Sequence, residues 1–221
     1  YIKVLEPLKP PSEYGITQGN IDINSKAIIE EILTNELFLF LCSYYGKNFW
    51  IRNNPVIRFD SKKYRTKEYG QRLLHLDHVE HQTSVMVLLN DIDEQSTCTE
   101  YIPQTHKKSW LFQNESLMKF SGKFNRFEQR YGVKKLLGQA GDMFIIDAGN
   151  GLHRGHYGND RAMLHFNFAQ YRRYADFNQS VDWDYKYKKH LLSRNPTPLN
   201  SKILKENGWD ESLFKYVFNH Q

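Results

Sequence analysis

The chain has very little cysteine: Cys42 and Cys98 are the only two in 221 residues. One lies in an apolar helix-like run and the other in a strand-like run, so no disulfide framework is expected, and a reducing, cytoplasmic compartment is the default. Long hydrophobic runs are also lacking. A membrane helix needs about 20 apolar residues, and the longest stretch here, around Leu37 to Cys42, is broken by polar residues on both sides. A dense basic stripe is missing too. The net charge of +5 and pI near 9.0 are a mild excess, short of what a nucleic-acid binder carries and leaning towards a small, anionic partner. The densest basic cluster, Lys62, Lys63, Arg65, Lys67 and Arg72, reads as a solvated loop. No repeat, low-complexity tract or linker interrupts the sequence. With 40% hydrophobic residues the chain supports one sizeable core, and a single domain over residues 1–221 is expected.

Residues 1–24 are punctuated by Pro7, Pro10, Pro11, Gly15 and Gly19 and read as an irregular arm. Ser25 then offers a helix N-cap, and Ile28, Ile29, Ile32, Leu33 and Leu37 recur at helical spacing before Gly46. From Phe49 the texture changes to short runs rich in β-branched and aromatic residues: FWIRN, PVIRFD, RLLHLD, TSVMVLLND, CTEYIP, GDMFIIDA and RAMLHFNFAQY. Runs of this kind predict a sandwich or barrel. One helix-like segment, Glu115 to Tyr131, falls among them as a candidate wall or lid over a pocket. After Tyr171 the chain turns polar, with Asn200 and Asp210 as caps for short terminal helices.

The chemistry concentrates in RLLHLDHVEHQ, Arg72 to Gln82. In an extended backbone alternate side chains share a face, so His75 and Asp77 project together. A third metal ligand is offered 76 residues beyond Asp77 by His153, at the end of an apolar strand. Two histidines and one carboxylate on one face of an octahedron leave three positions open, the arrangement that suits non-haem Fe(II). Rivals exist for each position. His156 competes with His153, and a helical reading of the motif would group His75, His78 and Glu80 as a zinc-like cluster. His81 faces the pocket mouth or solvent, His106 reads as a turn residue, and His165 as an interior or pocket histidine.

Eight residues after His153, Arg161 opens the strand RAMLHFNFAQY. A guanidinium inside a barrel is costly unless it meets a carboxylate in bidentate fashion, and a dicarboxylate co-substrate would supply one. Alternation places Met163, His165 and Asn167 on the face of Arg161, with Ala162, Leu164, Phe166 and Phe168 opposite. Arg154 is its competitor.

The run HLDHVEHQTSVMVLLNDIDEQSTCTEYIPQTHKKSW, followed by GDMFIIDAGNGLHRGHYGNDRAMLHF, resembles the phytanoyl-CoA dioxygenase family of Fe(II)- and 2-oxoglutarate-dependent oxygenases, roughly from Phe49 to Tyr171. The resemblance implies a mainly β fold, a double-stranded β-helix or jelly-roll barrel with helical flanks and a core near residues 49–171. It also implies His75, Asp77 and His153 as iron ligands, and Arg161 as the residue binding the far carboxylate of 2-oxoglutarate. The implied reaction is hydroxylation of a small organic substrate by O2, with succinate and CO2 released. Asp77 itself points to hydroxylation, because related halogenases lack this carboxylate. The chain departs from the family where glycine is usual: Ser96-Thr97 occupy the turn before the Pro-x-x-His segment, and Gln104 follows Pro103. Two other readings stand beside this one, a cupin-like metalloenzyme that does not use 2-oxoglutarate and a catalytically silent barrel that binds a ligand or partner.

Overall fold

The computed structural model describes residues 5, 7–22, 26–45, 49–51, 55–67, 73–77, 82–107 and 125–170. Ser25, Gly46, Arg72, His78, Glu80, His81, most of the 115–131 insertion and everything expected after Tyr171 lie outside these residues. The described residues fall into two compact units, one drawn from residues 5–21 and 55–167 and the other from 22–51 and 168–170.

The larger unit is mainly β, and its antiparallel sheets are those of a double-stranded β-helix. Its main sheet runs in the order β1 (Tyr14–Asn20), β3 (Val56–Arg65), β9 (Arg161–Gln170), β4 (Gln82–Leu88), β7 (Met143–Asp147). A smaller sheet has the order β6 (Lys134–Lys135), β5 (Cys98–Tyr101), β8 (His153–His156). The inner faces meet in apolar clusters. Met86, Ile146, Ala148 and Met163 pack with Tyr101, Leu136 and Phe144, and Leu88, Ile92 and Cys98 pack beside them. Register fixes which side chains face inward: β3 and β9 pair Arg58 with Met163 and Asp60 with Arg161, and directly opposed residues of an antiparallel pair share a face.

Two sequence expectations are corrected here. The arm is not irregular throughout, since residues 14–20 form β1, paired with β3 through a shifted register between Tyr14 and Ile16. Gly15 makes this possible: its φ of 70° suits glycine, and a Cβ there would run into the Ser61 carbonyl. The basic cluster is not a loop over its first part, because Lys62, Lys63 and Arg65 extend β3, with Arg65 lying 4.4 Å over the Tyr157 ring.

In the other unit, the single expected helix is two: α1 (Lys26–Glu31) and α2 (Asn35–Tyr45). The break has a local cause. Thr34 accepts a hydrogen bond from the Leu37 amide at 3.3 Å, the geometry of an N-cap, and so starts a second helix. The helical periodicity persists across the break, with Ile28, Ile32, Leu33, Leu37, Leu41 and Tyr45 all buried. The Tyr45 hydroxyl donates to the Phe168 carbonyl at 3.0 Å, and β2 (Phe49–Ile51) pairs with residues 168–170 of β9. No helix among the described residues is long and apolar enough to cross a membrane.

Candidate metal centre

The His75 motif is anchored from behind. Leu74 and Leu76, which alternate with His75 and Asp77, are buried in a cluster with Ile102, Phe127 and Leu152. Each such leucine contributes about 1.5–3 kcal/mol on burial, so the apolar half of the motif fixes the direction of its polar half. Phe127 and Tyr131 in this cluster belong to α3 (Asn125–Tyr131), the described end of the expected wall or lid. The segment makes an isolated antiparallel bridge to β8: the His75 amide donates to the His153 carbonyl at 3.0 Å, and the His153 amide to the His75 carbonyl at 3.1 Å. His75 is therefore in an extended bridge, while His78 and Glu80 of the zinc-like alternative lie outside the described residues. The Asp77 amide donates to the Ala148 carbonyl at 2.8 Å, tying the motif to the β7–β8 turn.

This backbone brings His75, Asp77 and His153 together, with one potential ligand atom from each lying within 4.8 Å of the others. Asp77 Oδ1 is 3.4 Å from His75 Nε2 and 3.5 Å from His153 Nε2. The back of each imidazole is held alike. His75 Nδ1 lies 2.7 Å from the Leu73 carbonyl, and His153 Nδ1 lies 2.9 Å from the Gly151 carbonyl. A carbonyl only accepts, so each Nδ1 carries a proton, and in the neutral ring Nε2 is left as the free lone pair. This is the outer hydrogen bonding that orients metal-bound histidines. Burial alone would raise the Asp77 carboxyl, but His153 and His75 beside it hold it well below the usual range. For His153 burial works against the charged form, and Asp77 outweighs it, so its pKa is raised. A set of two imidazole nitrogens and one carboxylate on one side of a cleft fits a divalent transition metal.

His156, the rival third ligand, is elsewhere: its Nδ1 is 3.3 Å from Glu100. Arg154 is bonded to both Glu100 and Glu128. His106 sits in the short helical turn after Ile102, while Gln82 and Ser84 both donate to the Asn167 side chain, at 3.1 and 2.9 Å.

The three residues open on a cleft enclosing about 590 Å³, open solvent included, whose walls include Arg58, Thr99, Arg154, Arg161, Met163 and His165. His165 lines it as a neutral ring, because burial pushes its pKa down to about 4. Arg161 is buried, as the alternation predicts, and the chain itself supplies a carboxylate to it. Its Nε and Nη2 donate to Asp60 Oδ2 at 3.0 and 2.9 Å, and its Nη1 to Thr99 Oγ1 at 3.3 Å. Asp60 also accepts from Arg58, with the Nη2 to Oδ1 distance 2.8 Å. Burial raises the Asp60 carboxyl, and the two guanidiniums more than reverse this, holding it below its ordinary value. Sequence reasoning missed Arg58 and Asp60. Their i, i+2 spacing on a strand was a visible signal that they share a face, but nothing local says that this strand pairs with β9.

The departure at Gln104 has a structural counterpart. Gln104 has φ 64°, in the left-handed region that favours glycine. The turn is held by Thr105, whose hydroxyl donates to the Ile102 carbonyl at 2.7 Å and accepts from the Leu152 amide at 2.9 Å, just before His153.

Comparison with known proteins places this geometry in context. The family model described as Phytanoyl-CoA dioxygenase (PhyH) matches residues 70–156, which include His75, Asp77 and His153 and end before Arg161. A search of curated proteins found no match. Among solved structures, the apo form of EctD from S. alaskensis is similar at 17% identity and a TM-score of 0.52, covering 82% of this chain and 66% of its own. The non-haem α-ketoglutarate-dependent epimerase SnoN from nogalamycin biosynthesis is similar at 12% identity and a TM-score of 0.52, covering 80% and 77%. The chain spans 56% of the length of EctD in its complex with 2-oxoglutarate and 5-hydroxyectoine.

Proposed function

Because the chain resembles the phytanoyl-CoA dioxygenase family of iron- and 2-oxoglutarate-dependent oxygenases, we propose that it is an Fe(II)- and 2-oxoglutarate-dependent dioxygenase that hydroxylates a small organic substrate. Its products would be the hydroxylated substrate, succinate and CO2. In this reading the chain acts as one oxygenase domain with its core near residues 49–171. The observation that carries the proposal is the pair of histidines, each with Nδ1 tied to a backbone carbonyl and Nε2 turned towards Asp77. A hydrogen-bonded structural pair would not call for a second histidine presented in the same tautomer to the same carboxylate.

His75, Asp77 and His153 would hold the iron, which when bound supplies oxygen activation coupled to oxidative decarboxylation of the co-substrate. The chain's own work is positioning. Leu74 and Leu76 fix the depth of His75 and Asp77. The Ala148 and Gly151 carbonyls fix Asp77 and His153. Arg161, oriented by Asp60 and Thr99, would meet the far carboxylate of 2-oxoglutarate, and three of its five N–H donors are used by those two partners. The mixed wall of Met86, Ile146, Met163 and neutral His165 lowers the local dielectric and limits water around the reacting atoms.

One observation favours the reading of a metalloenzyme without 2-oxoglutarate: Arg161 is already paired with a carboxylate of the chain, Asp60. Against it, two guanidiniums, those of Arg58 and Arg161, line the same cleft as His75, Asp77 and His153, where the carboxylate of an anionic co-substrate would meet them. The test is succinate production from 2-oxoglutarate by the purified protein with Fe(II) and ascorbate in air, in wild type and in His75→Ala. Slow, iron-dependent succinate formation that is lost in the variant is expected. Formation that is absent in wild type, or equal in both, would contradict the proposal.

A further inference from the structure

Resting on the oxygenase reading, we infer that His165 is a specificity-determining residue whose ring hydrogen-bonds a hydroxyl group of the primary substrate. The inward face of β9 carries, by alternation, Arg161, Met163, His165 and Asn167. The chain provides for the other two polar members. Arg161 donates to Asp60 and Thr99, and Asn167 accepts from Gln82 and Ser84. Among the described residues no hydrogen bond or ion pair reaches His165. Its cross-strand neighbour on β3 is Val56, which has no polar side-chain atom to offer.

A polar ring inside a barrel is normally hydrogen-bonded, and an exception calls for a reason. His165 is half-buried and lines the cleft that holds His75, Asp77 and His153. Its nitrogens are not among the sealed, unpartnered polar atoms of the described residues, so the ring's hydrogen-bonding edge opens on the cleft and is left to whatever enters it. His165 also lies about 13 Å along the strand from Arg161, at about 3.3 Å per residue. A co-substrate that ends on Arg161 therefore leaves His165 to a second molecule.

The ring's state says which group it suits. Burial, with Arg58 and Arg161 adding to it, outweighs Asp77 and pushes the His165 pKa down to about 4, so the imidazole is neutral, with one N–H and one lone pair. The field that keeps it neutral also opposes an ammonium there, and an anion gains more from a guanidinium than from a neutral ring. A hydroxyl both donates and accepts, so it pairs with either nitrogen in either tautomer. Met86, Ile146 and Met163 of the same cleft give a carbon skeleton an apolar wall. The substrate class is thus an uncharged, largely apolar molecule with a hydroxyl held at His165. An analogue without that hydroxyl is rejected, because it leaves the imidazole unpaired.

The test uses matched probes, cyclohexanol with methylcyclohexane and benzyl alcohol with ethylbenzene, each pair alike in shape with methyl in place of hydroxyl. Each probe is titrated anaerobically into protein loaded with Fe(II) and 2-oxoglutarate, followed by calorimetry, in wild type, His165→Phe and His165→Gln, with thermal melts of all three. The readout is the ratio of the alcohol's affinity to that of its hydrocarbon, which a general loss of packing moves little. His165→Phe is expected to lower the ratio by about three- to tenfold, and His165→Gln, which keeps a donor and an acceptor, to hold it within about twofold. An unchanged ratio in His165→Phe, an equal drop in both variants, or a wild type that binds neither alcohol overturns the inference. The oxygenase reading then still stands, since the visible charge-transfer band of the loaded protein reports it separately. If wild type gives no band, the oxygenase reading fails and the inference falls with it. Should His165→Phe not fold, His165→Leu reads the same ratio.

Discussion

Gly151 sits at the point where three supports of the candidate metal centre converge, and Gly151→Ala tests whether those supports matter. The Gly151 carbonyl accepts from His153 Nδ1 at 2.9 Å, and its amide donates to the Asp147 carbonyl at 2.7 Å. The same turn offers the Ala148 carbonyl to the Asp77 amide at 2.8 Å. A Cβ on residue 151 would collide with the Tyr101 hydroxyl and lie 2.7 Å from the Asp147 carbonyl oxygen. Neither neighbour yields easily: Tyr101 packs against the Met86, Ile146, Ala148 and Met163 cluster, and the Asp147 carbonyl is backbone. The turn must therefore shift and take the His153 support with it. Overpacking of this kind costs about 1–3 kcal/mol of stability. Disturbing the outer hydrogen bond of a metal-bound histidine costs about 10–100-fold in metal affinity, equivalent to about 1.4–2.8 kcal/mol. The assay is an anaerobic titration with Fe(II), or with Co(II) as a spectroscopic substitute, beside a denaturant melt of the metal-free protein. The expected result is weaker metal binding by at least tenfold in a variant that still melts cooperatively. Destabilisation with metal affinity unchanged within about twofold would refute the reasoning, because it would mean that the Gly151 carbonyl does not orient His153.

Two further outcomes follow from the same geometry. His153 is raised above its ordinary value, chiefly by Asp77 against the effect of burial. The stability its charged form contributes is therefore fully present below about pH 6.5, the unfolded value, and is lost as pH rises through the raised folded value. Metal needs the neutral ring, so affinity should climb about tenfold per pH unit below that folded value and level off above it, measured as Kd for Fe(II) from pH 6 to 8. A flat profile would contradict the coupling of His153 to Asp77. At the Ile102–Thr105 turn, Gln104→Gly should relieve a left-handed conformation that costs an ordinary residue about 1–2 kcal/mol, partly offset by the greater freedom of glycine in the unfolded chain. A net gain of up to about 1 kcal/mol in denaturant unfolding is expected, and a loss would show that the positive φ carries no strain.

How much of this was legible in the sequence depends on how local each relationship is. The direction of His75 and Asp77 follows from alternation with Leu74 and Leu76, and the structure buries both leucines as that alternation requires. The two faces of β9 follow from the same rule, and Arg161, Met163 and His165 do line the cleft. The break between α1 and α2 was present in the sequence as Thr34, but the apolar repeat runs through it unbroken and masked the cap. The pairing of Asp60 with Arg161 spans 101 residues and rests on β3 lying beside β9, a neighbour relation that no local pattern encodes. That is why Asp60 was not legible in the sequence as a partner of Arg161. β1 was hidden for a related reason: an edge strand interrupted by glycine has little signal until its partner is known.

The account turns on whether His75, Asp77 and His153 form a metal centre that takes 2-oxoglutarate. The most direct measurement is anaerobic addition of Fe(II) and then 2-oxoglutarate to the purified protein, in wild type and in His153→Ala, monitored in the visible range. The account predicts a weak charge-transfer band in wild type that saturates with one iron and one 2-oxoglutarate per chain, and no band in the variant. A band of equal strength in both proteins, or none in wild type, would contradict it.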